Sequence, residues 1–140
     1  MPPVSFENTL QRACTELESL AELLTTEQAE IATAPQERIE ELTQEKRRRL
    51  ESLQMVLASA SPSTTPGQDM SKIKALAERA RQAGAKASML NRINGQMISM
   101  RARVTDARLD ALASAAGCPR TYGADGGLRM ARNSRPSITA

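Results

Sequence analysis

The side chains of this chain that could do chemistry are 16 Asp and Glu, 19 Lys and Arg, and two cysteines; there is no histidine. General acid–base catalysis at neutral pH rests most often on histidine, and here it has none. The carboxylates recur at spacings typical of solvated helix faces, not as a converging pair. Cys14 and Cys118 stand far apart and cannot supply the closely spaced ligands of a structural zinc site. Cys14 falls on an apolar helical stripe and reads as a small buried hydrophobe. The run Gly123-Ala124-Asp125-Gly126-Gly127 has the look of a phosphate-cradling loop. It lacks the Lys-Ser/Thr of a P-loop, and the pattern places no strand before it and no helix after it. These residues point away from an enzyme, a metal site and a cofactor.

The residues suited to binding are more informative. Lys46-Arg47-Arg48-Arg49 is a basic run, but consecutive helical residues point in four directions, and Glu45 can pair with Arg49 one turn on. It reads as a solvated, partly paired face rather than a nucleic-acid site, and aromatic partners for single strands are missing. Asn91 and Asn94 share a helical face just before Gly95. A buried seam Asn fixes helix register at some cost in stability, and a binding role is the alternative. Met89, Met97 and Met100 line one region of the same segment. They suit either core filling or an adaptable binding surface.

Helices must position these residues. Leu10, Leu17, Leu24 and Ile31 recur every seven residues, with Phe6, Ala13 and Leu20 as the companion row. This a/d seam predicts a helix over about 6–33, with Ser5 as N-cap. Pro35 breaks it and suits the first position of a second helix over about 36–58, whose stripe is Ile39, Leu42, Leu50, Leu53 and Leu57. The short break predicts an antiparallel hairpin. Residues 59–69, rich in Pro, Ser and Thr, read as a loop. A long third helix over about 70–116 carries the seam Ile73, Leu76, Ala80, Ala83, Ala87, Leu90, Asn94, Met97, Arg101 and Val104. Its first half is alanine-rich; its second half adds Met89, Ile98, Met100, Leu109 and Leu112. Gly84 and Gly95 permit bends within it. Gly117 and Pro119 close it. Residues 118–140 are too sparse in apolar side chains for a core and read as a flexible basic tail. The expected fold is thus all-α: a three-helix, coiled-coil-like bundle over 1–117, followed by that tail. In an up-down-up arrangement, about 20 Å of the third helix would outrun the hairpin. Residues 97–116 and the tail would then be an open partner-binding surface.

Composition supports this reading. Aromatics are only 1% of the chain, so the core must be aliphatic, which suits helix-on-helix packing. The charge is uneven: −5 over residues 6–60, +5 over 69–112 and +3 over 119–140. Acidic and basic halves can attract each other within one bundle. No stretch approaches the ~20 apolar residues of a membrane span. The N-terminal residues have neither a basic region nor an apolar run, so the chain reads as cytoplasmic.

Three stretches resemble FlgN, the family of bacterial flagellar type III export chaperones. The first is Leu23-Leu24 with Glu27, then Ile39 to Lys46 with Leu50 and Leu53. The second is Asn91-Arg92-Ile93-Asn94-Gly95-Gln96-Met97-Ile98, similar to the family's N-x-x-N-G-x-hydrophobic signature. The third is Tyr122-Gly123-Ala124-Asp125-Gly126, similar to its Tyr-Gly-x-x-Gly. The resemblance implies a cytoplasmic chaperone that holds the hook-associated proteins FlgK and FlgL and delivers them to the export apparatus. It places the client surface on Asn94, Met97, Ile98, Val104, Leu109 and Leu112, with Tyr122, Leu128 and Met130 of the tail. A coiled-coil adaptor without a chaperone role is the alternative, and a homodimer is left open.

Overall fold

The computed structural model describes residues 4–60 and 67–117, together with 120–122 and 128–130. It contains three helices: α1 (Phe6–Glu30), α2 (Gln36–Ala58) and α3 (Met70–Ala115). Each local signal has a visible outcome. Ser5 occupies the N-cap of α1, but its hydroxyl makes no capping bond there. Its carbonyl instead accepts from the backbone N–H of Thr9 at 3.0 Å. The helix ends at Glu30, three residues before the expected boundary. Residues 31–33 form a turn, closed by the N–H of Ala34 donating to the Glu30 carbonyl at 2.8 Å. Pro35 is the N-cap of α2 with extended geometry, not its first helical residue. A proline disfavours helical geometry in the residue before it, here Ala34, and lacks the N–H that would bond back to Ile31. Asp69 caps α3: its Oδ1 accepts the N–H groups of Ser71 and Lys72 at 3.0 and 3.3 Å. α3 runs without interruption through both Gly84 and Gly95.

The chain divides into two compact units, Met1–Ile98 and Ser99–Ala140. In the first, cross-helix pairs give the directions. Glu7 pairs with Lys72 and Glu18 with Arg79, so α1 and α3 run the same way. Glu16 meets Ser52, Glu27 meets Lys46 and Glu30 meets Arg38, so α2 runs antiparallel to α1. Leu20, Ala21 and Leu24 of α1 pack with Ala87 and Leu90 of α3. Ala13 packs with Leu53 and Val56 of α2, with Leu17 against them. α1 is therefore the central helix, buried on one flank by α2 and on another by α3.

The second unit holds the last turns of α3 and a short strand pair, β1 (Arg120–Tyr122) and β2 (Leu128–Met130). Gly117 follows α3 with φ +72°, the left-handed conformation that a helix end favours and that glycine adopts without a Cβ clash. The strands are antiparallel, with Arg120 opposite Met130 and Tyr122 opposite Leu128. Within the expected tail the described residues are this strand pair, in which two extended segments satisfy each other's backbone groups without a large core. One expectation changes: the glycine run 123–127 does have a strand before it. A second strand, not a helix, comes after it, so the P-loop geometry is still missing. The rest of the expected tail (118–119, 123–127 and 131–140), Cys118 included, lies outside the described residues, as do 61–66 of the loop.

Candidate partner-binding site

Within the first unit, one apolar row of each helix carries a polar residue. Phe6, Ala13 and Leu20 lead to Glu27 seven residues on. Ile39 and Leu53 enclose Lys46 at the same spacing, and Ile73, Ala80 and Ala87 lead to Asn94. These three side chains meet. Lys46 Nζ donates to Glu27 Oε1 at 3.0 Å. Asn94 Nδ2 donates to Glu27 Oε2 at 2.7 Å and to the Leu24 carbonyl at 2.8 Å. Glu27 is 1% exposed and Asn94 0%. Asn94 Oδ1 has no hydrogen-bond partner among the described residues. An ion pair this deep gains little net stability, but removing either member strands a buried charge. The layer fixes how α1, α2 and α3 align.

Two expectations are corrected by that layer. Lys46 does not lie on a solvated face; the seven-residue row turns it inward, while Arg48 and Arg49 pair with Glu45 at 3.6 and 3.2 Å. Asn94 does not belong to an open client surface, because it has no exposure and both its amide hydrogens are used inside the bundle. Of its two readings, register specification is the one the geometry supports.

The remaining candidate residues fall differently. Met97 and Ile98 are half-buried at the end of the first unit. In the second unit Val104, Leu109 and Leu112 are exposed, Leu112 at 67%. Within the second unit, Val104, Arg108 and Leu112 share one side of α3 by the helical period. Met100, 63% exposed, flanks them and belongs with the set, as the methionine pattern signalled. Among the described residues of the second unit, Ala113 is the buried hydrophobic. The exposed α3 stripe can accept the apolar face of another helix. In the strand pair, Tyr122 is in register with Leu128 and Met130 with Arg120.

Cys14 is fully buried, and its Sγ donates to the Leu76 carbonyl at 3.1 Å. Burial pushes its thiol up from the ordinary value, so it is a poor nucleophile at neutral pH. The exposed ion pairs are ordered by geometry: Arg79 grips both oxygens of Glu18 at 2.5 and 2.6 Å. That bond holds the Glu18 carboxyl below its usual range. Among the described residues no cluster of three or more His, Cys, Asp or Glu could hold a metal ion. No described helix is long and apolar enough to cross a membrane. A feature that no sequence pattern signals is a groove of about 210 Å³ within the first unit, bounded by all three helices. Compared with protein-family models, with curated proteins and with solved structures, the chain matches none.

Proposed function

We propose that the protein is a helical chaperone of flagellar type III export, binding hook-associated proteins of the FlgK and FlgL kind before secretion. The observation that carries this reading is the last stretch of α3, where Met100, Val104, Leu109 and Leu112 stand exposed on a continuous helix. Large apolar side chains held out in water are a cost unless a partner covers them. The resemblance in 23–53, 91–98 and 122–126 supplies the partner's identity. A client presenting an amphipathic helix lays its apolar stripe on this surface, and no nucleotide or metal is required. Release to an export apparatus follows naturally from a helix-on-helix contact of moderate affinity.

Co-purification of the full chain with FlgK or FlgL tests the proposal. Leu112→Asp and Val104→Asp should each abolish capture while leaving the circular dichroism spectrum and melting temperature unchanged. A chain that captures neither protein, or captures both equally well after these changes, sinks it.

A further inference from the structure

The groove of the first unit is separate from the exposed end of α3. Leu20 and Leu24 of α1 form its floor and Leu50 of α2 one wall, while Gly84, Ala87 and Ser88 of α3 form the other. Leu50 is 40% exposed although it lies on the apolar stripe of α2. The α3 wall is built from small residues, which let another backbone approach closely. The fold itself does not demand Gly84: a Cβ there would meet Leu17 at an ordinary contact distance of 3.9 Å. Glycine inside a helix costs roughly 1 kcal/mol against alanine, yet the intramolecular packing leaves its space unused.

One end of the groove is cationic. Lys46 and Asn91 line it. Arg47 and Arg92, one residue further round each helix, are exposed. Neither has an acidic partner among the described residues, unlike Arg48 and Arg49, the neighbours of Arg47 on α2. The two arginines flank the same end because α2 and α3 run in opposite directions.

We infer that this groove is a docking site for an amphipathic helix of another protein, with a small-residue or leucine stripe and acidic side chains at one end. Seated between α2 and α3, that helix completes a four-helix bundle around the apolar floor. Its acids meet Arg47 and Arg92. A second copy of this chain on the same face is the other outcome that the test separates.

The probe is a synthetic helical peptide with a Leu/Ala stripe and glutamates at one end, titrated into the full chain by fluorescence anisotropy. A lysine-ended counterpart serves as control. The glutamate peptide should bind, and the lysine peptide should bind more weakly by about tenfold or more. Ser88→Trp, placed on an exposed groove residue, should block the glutamate peptide. The double change Arg47→Glu with Arg92→Glu alters only exposed side chains and should lower affinity by about tenfold, with reduced salt dependence. Leu112→Asp should leave binding unchanged, which separates this site from the proposed client surface. Equal binding of the two peptides, no effect of the arginine reversals, or a wild-type dimer that Ser88→Trp dissociates would overturn the inference.

Discussion

The two parts of α3 have the same seam and opposite surroundings. Up to Ile98, Ile73, Leu76, Ala87, Leu90 and Asn94 are all buried. From Ser99 onward the same seven-residue rows continue through Arg101 and Arg108 and through Val104, and the large apolar side chains stand in water. A heptad row states that a helix has a side to bury; it does not state what buries it. In the first unit that side is used for folding. In the second it stands exposed, and a stability change there should be small where, on the proposed function, a binding change is large.

The sharpest break of this contrast lies in the polar layer. Lys46→Met strands the Glu27 carboxylate and should cost about 3–5 kcal/mol in urea unfolding. Replacing the layer as a set, with Glu27→Leu, Lys46→Met and Asn94→Leu, should recover most of that loss while weakening the unique alignment of α3. A single-site cost below about 0.5 kcal/mol would show that the layer does not organise the bundle. Next comes a matched pair of truncations. Leu24→Ala, at a side chain 1% exposed, should lose about 2–5 kcal/mol. Leu112→Ala, at one 67% exposed, should stay within about 0.5 kcal/mol. Similar losses at both positions would erase the distinction between the two regions.

A smaller effect is expected at the helix glycines. A Cβ at Gly95 meets nothing within 4 Å and one at Gly84 only the Leu17 side chain. Each Gly→Ala should therefore raise stability by up to roughly 1 kcal/mol in thermal melts. Gly84→Ala should in addition weaken the groove peptide, and Gly95→Ala should not. Smallest is the acid response. Arg79, Arg38 and Arg81 hold Glu18, Glu30 and Glu78 below the ordinary carboxyl value of 4.5, Glu78 at about 2. A carboxyl whose folded value is depressed stabilises the fold fully above its unfolded value and ceases to do so as pH falls through the folded one. Urea midpoints should thus decline as pH drops from about 4.5 toward about 2, and Arg79→Ala should flatten part of that decline. A steeper decline in the variant would reverse the sign and refute the assignment. All these pairs are solvent-exposed, so their screened contribution ranks below every buried term.

Much of the architecture was legible along the chain. The rows at Leu10 to Ile31 and Ile39 to Leu57, with Pro35 and Gly117 as stops, announce three helices, because amphipathic spacing and backbone stereochemistry are local properties. Asn94 was visible as a polar member of an apolar row, whereas Lys46 read as part of a solvated basic run and Glu27 drew no notice as a seam residue. Their meeting was not visible, because the alignment of separate helices depends on side chains far apart in sequence. The groove was hidden for the same reason: Leu50, Gly84 and Ser88 become neighbours only when α2 and α3 flank α1. The strand pair escaped notice because three-residue strands carry too little periodicity to read.

By itself, then, the sequence determined that the chain folds as long amphipathic helices with an aliphatic core, since composition and spacing allow little else. Tertiary structure decided which side chains of that common seam are spent on the fold and which are left facing water. That choice follows from where partner helices lie alongside α3, a fact that no stretch of sequence holds on its own.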